Sequence, residues 1–312
     1  MDYYGSQVTS ARHRVRHLDV QNRRVENGFR LTRVGITGVR KPIVVHRQGK
    51  DNHVTALIDV FVDLPSTQKG SHMSRNVEII TEMIDESVRR KVASLEELAG
   101  KICKELLDRH EYASYGEVNM AADYFLEKTT ETGRHTLEPF KLIARATARR
   151  GNGLMKLIGV EVEGMTACPC AMETVRTRVN EEHPGMTESV SALPMITHNQ
   201  RNRTTLMVEV PEHVDVEADD LIDIVESSLS SPTFGILKRD DEASVVLKAH
   251  RNPKFVEDVV RDILWKILDR YGQLDDSVHV TVRSESEESI HKHNAFAERI
   301  TTLGELRAID EQ

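Results

Sequence analysis

The chain is short of aromatic residues. Phe, Tyr and Trp make up 4% of its 312 residues, with a single Trp. Platforms on which nucleic-acid bases stack are therefore excluded. Cysteine is scarcer still, with only Cys103, Cys168 and Cys170. Two of these lie too close together for an ordinary staple, so a disulfide framework is excluded and a reducing cytoplasm fits. No stretch approaches the ~20 apolar residues of a membrane-spanning helix. The opening MDYYGSQVTSARHRVRH lacks the apolar segment of a secretory signal. A cytoplasmic protein with no membrane partner is expected. There is no excess of positive charge either. Lys and Arg number 42 against 50 Asp and Glu, a net charge of −8. No chain-wide footprint for nucleic acid follows from that balance, although a local basic pocket for a phosphorylated small molecule remains open. Walker and GxGxxG spacings are missing, which removes the P-loop and Rossmann readings.

What is present is an ordinary soluble composition, 39% hydrophobic and 29% charged. The length suits one large domain or two modest ones. Residues 1–28 are polar and basic, and read as an arm or a partner contact. From Phe29 the segments FRLTRVGITGVRKPIVVHR and HVTALIDVFVDLP read as strands, the second alternating Val54, Ala56, Ile58, Val60 and Val62. Two amphipathic helices follow. One carries Val77, Ile80, Ile84 and Val88 on a face, and the other opens on a Ser94/Glu97 capping box. YGEVNMAADYFLEK and PFKLIARATARRGNGLMKLIGVEVEG read as strands again, with a hairpin turn at GNG, residues 151–153. The second half repeats the order: strand TTLMVEV, helices in EADDLIDIVESSLS and NPKFVEDVVRDILWKILDRYG, then strand SVHVTVRSES. Each half is strands, two helices, strands. Two antiparallel sheets, each with two helices on one face, make an α+β fold. The expected division is an arm at 1–28, a first module at 29–160 and a second at 161–312.

Several clusters carry possible chemistry. In MTACPCAMETVR the Cys168 and Cys170 pair can offer thiolate to a metal or keep one thiol as a nucleophile or acid/base group; two small buried residues would look the same. THNQRNRTT sets His198 before a strand beside Asn199, Gln200, Arg201 and Arg203, a polar cluster costly to bury idly; it is either a ligand with an anion fork or a solvated loop. ILKRDDE, residues 236–242, reads first as a solvated charged turn. Glu257 and Asp258 fall in a helical first turn, where the helix dipole alone would explain them. ESIHKHNAFAE brings His291 and His293 near Glu288, and HxH spacing in a strand would put both imidazoles on one face. LPSTQKGSHMSRN collects Lys69, His72 and Arg75 just before a helix, a good anion site.

Seven blocks occur in one order along nearly the whole chain: LTRVGITGV, FVDLPSTQKGSHMSR, ACPC, HNQR, LKRDDE, NPKFVED and ESIHKHNAFAE. Together they resemble the GTP cyclohydrolases of the type IB and archaeal MptA group. The resemblance implies a tunnelling fold (T-fold) with two tandem modules per chain, assembly as a homotetramer, and GTP as substrate. It implies metal-dependent attack of water on C8 of guanine with loss of formate. Cys168, His198 and Glu242 are the implied metal ligands, an open set in which one position is left for water. Fe(II) is the implied metal, and the donor types also suit Zn(II) and Mn(II). Cys170 is then a proton-transfer group within reach, and either cysteine can be the ligand.

The resemblance further implies that Glu257 anchors guanine, accepting from N1–H and the exocyclic amine. Glu288 and His291 become the acid/base pair, with His293 extending the cluster. Lys69, His72 and Arg75 become triphosphate contacts, with Arg201, Lys238 and Arg239 as additions. The long segment between ACPC and HNQR departs from the bacterial pattern and is similar to the archaeal form. It points to 7,8-dihydroneopterin 2′,3′-cyclic phosphate and diphosphate as products, on the way to methanopterin. The alternatives are 7,8-dihydroneopterin triphosphate for folate synthesis, another purine or pterin substrate, or a non-catalytic purine-binding protein on the same scaffold.

Overall fold

The computed structural model describes residues 21, 25–47, 50–90, 92–186 and 193–310. Most of the expected arm at 1–28 therefore lies outside the described residues, as do residues 187–192 of the long linking segment.

Period-two burial builds the molecule. In β2 (Lys50–Leu64) the even-numbered Val54, Ala56, Ile58, Val60 and Val62 are buried. The same parity is buried in β3 (Tyr115–Thr129), β4 (His135–Arg149), β5 (Gly153–Ala167), β6 (Asn199–Pro211) and β8 (His279–Ser286). Each apolar side chain so removed from water contributes roughly 1.5–3 kcal/mol, which fixes register, because a one-residue slip would turn every one outward. In β1 (Leu31–Arg47) the parity inverts, so that Ile43 and Val45 are buried. Of the two bulges in this strand, the second, between Ile36 and Val39, makes the change. Gly38 sits in the second at φ +75, a conformation that favours glycine, and its N–H donates to Asp59 Oδ1 at 2.7 Å.

These strands form one antiparallel sheet in the order β1-β2-β3-β4-β5-β6-β8-β9, with β9 at Ala295–Thr302. A two-residue strand, β7 (Ser231–Pro232), pairs with the far end of β5. The expected two sheets are thus one: β4 and β5 are joined through the turn after Arg149 and pair from Arg149↔Gly153 to Lys141↔Glu161. The division expected at 160/161 falls inside β5; the 150–152 turn closes a first run of strand–strand–helix–helix–strand–strand, and the run after it has extra helices inserted among its strands.

Four helices cover the same face. These are α1 (Met73–Arg90), α2 (Leu95–Arg109), α4 (Ala218–Ser228) and α6 (Val256–Tyr271), and they share one continuous core with the strands. Ser94 caps α2, its hydroxyl accepting from the Glu97 N–H at 3.2 Å. Three helices appear where none was expected, α3 (Pro169–Glu182), α5 (Arg239–Arg251) and α7 (Leu303–Asp310), the last ending the described chain. Beyond Lys141 and Glu161, β4 and β5 diverge. The opening is a cavity of about 640 Å³, where Glu138 accepts the Gly235 N–H on both oxygens.

Candidate active site

β5 and β6 run side by side as far as Ala167↔Asn199. The next residues outward are Cys168 and His198. The Cys168 N–H donates to the His198 carbonyl at 3.0 Å, and the Thr197 hydroxyl donates to the Cys168 carbonyl at 2.7 Å. Cys168 also caps α3, with Sγ accepting from the Ala171 N–H at 3.5 Å. Pro169 opens the helix at little cost, because its missing N–H is one a helix start leaves unbonded. ACPC is therefore a strand end, a cap and a helix start. Cys170 falls on the first turn and is exposed.

The side chains of His198 and Glu288 are each 11% exposed. His198 Nδ1 lies 3.0 Å from Gln200 Oε1 and 3.6 Å from Glu288 Oε2; only the first is a hydrogen bond. Gln200 Nε2 donates to Thr166 Oγ1 at 3.1 Å and to Glu288 Oε1 at 3.3 Å. His291 meets His198 edge-on at 6.3 Å, and His293 stacks on His291 at 5.1 Å. The strand expected around these two histidines does not form; residues 287–294 are a loop between β8 and β9. Its one apolar side chain, Ile290, is 63% exposed, so nothing buries a strand face there. Ring stacking, rather than strand alternation, pairs the imidazoles. The Lys254 N–H donates to the Ala167 carbonyl at 3.0 Å, which ties the start of α6 to the same end of the sheet. Exposed Glu257 sits on the first turn of that helix.

The donor chemistry suits a divalent metal in part. Cys168 and His198 are neighbours, and His198 Nε2 has no hydrogen-bond partner among the described residues. Glu242 does not join them: among the described residues no group of three His, Cys, Asp or Glu side chains is arranged to hold a metal. Glu242 is exposed on the first turn of α5, because ILKRDDE opens a helix instead of forming a turn. That start is clamped to the β3–β4 turn by Asp241, 1% exposed, which accepts from Thr132 Oγ1 at 2.5 Å and from the Lys238 N–H at 3.2 Å. The Thr132 hydrogen bond is the main cause holding the Asp241 carboxyl down at about 2. Lys238 and Arg239 flank this clamp and are exposed.

The remaining anion candidates are elsewhere. Arg201 alternates to the sheet face opposite Gln200 and pairs with Glu163 at 2.7 Å. Lys69, His72 and Arg75 follow the C-terminal end of β2. Through Val62↔Gly116, Tyr115↔Arg149 and Arg149↔Gly153 that end aligns with the beginning of β5. Cys168 follows the finish of β5, so the two groups stand at opposite ends of the sheet. At ~3.3 Å per residue a fifteen-residue strand separates them by on the order of 45 Å. Arg75 meanwhile donates to the Arg109 carbonyl at 3.0 Å.

Residues 18–297 match the family described as type I GTP cyclohydrolase, folE2. The chain belongs to that family. Among relatives of this cyclohydrolase family, the GTP cyclohydrolase MptA of Methanothermobacter thermautotrophicus is 43% identical over 300 residues, covering 93% of this chain and 94% of that protein. The GTP cyclohydrolase MptA of Methanococcoides burtonii is 44% identical over 304 residues, covering 93% and 95%. In fold, the chain is similar to the crystal structure of a hyper-thermostable AgUricase mutant, with a TM-score of 0.50 at 9% identity, covering 87% of this chain and 91% of that one.

The site of this cyclohydrolase-family chain holds Thr166, which motif reading passed over, and Gln200, which it grouped with the polar run beside His198 but gave no role. A signal for Gln200 existed. Gln200, Asn202 and Thr204 occupy the same parity of β6 as buried Leu206, Val208 and Val210. Polar side chains continuing a buried face are costly unless bonded, which marks them as a built network.

Proposed function

We propose that the chain opens the guanine ring of GTP by hydrolysis at C8. Formate leaves, and the products are 7,8-dihydroneopterin 2′,3′-cyclic phosphate and diphosphate, the entry to methanopterin synthesis. The reading is carried by the meeting of Cys168, His198, Glu288, His291 and the Glu257-bearing helix start at one sheet end, in a chain of this family.

The residues divide the work by their chemistry. The Glu257 carboxylate accepts from guanine N1–H and the exocyclic amine, a pair adenine does not offer. Glu288, mostly buried and beside His198, holds or moves a proton at the opening ring, with His291 as its partner from the loop. His293 stacks behind His291 and limits its rotation. Exposed Cys170 is a further proton-transfer group. Cys168 and His198 would hold the divalent metal, Fe(II) as first expectation and Zn(II) or Mn(II) otherwise; Glu242, which does not stand with them in this structure, would have to be brought to them to serve as the third ligand. When bound, such an ion supplies a polarised water for the attack on C8.

The fold we infer is the T-fold, assembled as a homotetramer. Lys69, His72 and Arg75 contact the triphosphate in that reading, but from another copy, since within one chain a strand length separates them from Cys168. Arg201 would have to exchange Glu163 for phosphate, whereas Lys238 and Arg239 are exposed at a helix start.

Anaerobic incubation with GTP and Fe(II), followed by mass spectrometry, tests the proposal. The cyclic phosphate is expected. Dihydroneopterin triphosphate would retain the ring chemistry and overturn the phosphate assignment. Intact GTP with Fe(II), Mn(II) and Zn(II) each supplied would overturn the activity.

A further inference from the structure

Gln200 stands between the two titratable groups of the site, bonded to both. A carboxylate accepts only, so the amide NH2 must face Glu288, and the amide oxygen must then face His198. With an acceptor oxygen 3.0 Å away, His198 Nδ1 must carry the hydrogen. Nε2 is left with its lone pair open. The amide is itself held from behind. Its second N–H goes to Thr166 Oγ1, which is 3.0 Å from Ser286 Oγ. Ser286 Oγ accepts from Asn202 Nδ2 at 3.0 Å, and Asn202 is bonded in turn to Ser284 and Thr204. All of these side chains are buried. A buried network with every member bonded resists reorientation, and turning the Gln200 amide would set its oxygen against the Glu288 carboxylate, acceptor against acceptor.

We propose that Gln200 is a positioning residue. It fixes His198 in the Nδ1–H tautomer, so that Nε2 faces the site as a free donor, and it keeps Glu288 at a set distance from the ring. The side chain touches neither substrate nor reacting atoms in this role. The proposal rests on His198 and Glu288 belonging to the site that handles GTP. Partners that fix a ligand imidazole in this way are worth about 10- to 100-fold in metal affinity or activity when removed.

The test is the imidazole tautomer, read by 15N NMR on full-length, metal-free protein labelled at histidine. The His198 signal is assigned by its loss in His198→Asn. Wild type is expected to show Nδ1–H. Gln200→Met, near in shape but without hydrogen bonds, is expected to shift His198 toward the Nε2–H form, and to lower kcat about 10- to 100-fold with little change in KM for GTP. Gln200→Glu keeps an acceptor oxygen in place and is expected to retain Nδ1–H. Nε2–H in the wild type overturns the proposal, and that measurement stands even if Gln200→Met does not fold. So does an unchanged tautomer in folded Gln200→Met. None of the tautomer readings needs turnover, so a wild type that shows Nδ1–H but leaves GTP intact would sink the functional reading and not the tautomer assignment.

Discussion

His110 shows how much a single buried residue can decide. It has no exposed surface, with Nδ1 2.8 Å from the Tyr112 hydroxyl and Nε2 2.7 Å from Asn76 Oδ1. Burial, helped by the charges of Arg75 and His72, pushes its pKa down to about 4. The sign follows directly. Below its ordinary value near 6.5 the unfolded chain takes up a proton that the folded chain refuses until about pH 4. Stability therefore falls as pH drops through that window, by on the order of 3 kcal/mol, and is fully present above it. Urea midpoints measured between pH 8 and pH 4 are expected to carry this slope in the wild type and to lose most of it in His110→Gln. Equal slopes in the two proteins would sink the assignment. In the sequence His110 was only the end of a helix, for nothing local reveals that Asn76 and Tyr112 close over it. Gln200 was legible as a member of the polar run beside His198, and Cys168 with His198 by type, yet their adjacency comes from a strand register that no motif contains.

At the scale of elements, strands β2 to β6 and β8 and helices α1, α2, α4 and α6 were readable because each buries a periodic stripe. Of the elements that escaped, the short α7 offers too few residues to show a period, and α3 and α5 have no such stripe. In α3 only Met172 is buried, and in α5 only Asp241 and Ala249. A helix without an apolar face leaves no 3.6-residue pattern to find. What holds the start of α5 is instead a long-range polar clamp, Asp241 on the β3–β4 turn. Its carboxyl is held at about 2, below the ordinary value near 3.8. The bond therefore stabilises the fold above that ordinary value, and the contribution fades as pH falls toward 2. Thr132→Val removes the hydroxyl and keeps the shape. It is expected to lower Tm by a few degrees at pH 7, with the gap from wild type closing in scans run toward pH 2. Because Lys238, Arg239 and Glu242 ride on the same helix start, the variant is also expected to raise KM for GTP about threefold, the effect of roughly 0.6 kcal/mol of lost binding. A constant Tm gap at every pH would mean that the threonine acts by packing and not through the carboxylate.

The whole molecule raises a question that no single element answers. One sheet carries Cys168, His198 and Glu288 at one end and the Lys69, His72 and Arg75 group at the other. Side chains reach several ångströms, and the interval is on the order of 45 Å, so bending within one chain does not close it. If both groups serve one GTP, a second copy must supply one of them. The strands that end the sheet, β1 and β9, each have one edge without a strand partner among the described residues, which gives copies a means of adding to one another. Mixing settles the matter. A chain bearing Lys69→Ala and Arg75→Ala lacks the first group, and a chain bearing His198→Asn lacks the second. Each alone is expected to be nearly inactive at modest GTP. Co-expressed in equal amounts and assembled at random, they are expected to recover roughly a quarter of wild-type sites, since one site in four pairs two intact halves. Recovery near zero, with mixed oligomers demonstrated by mass, would show that the two groups do not share a substrate. The Lys69 loop would then lose its triphosphate role, while the Cys168 end of the sheet would keep its own.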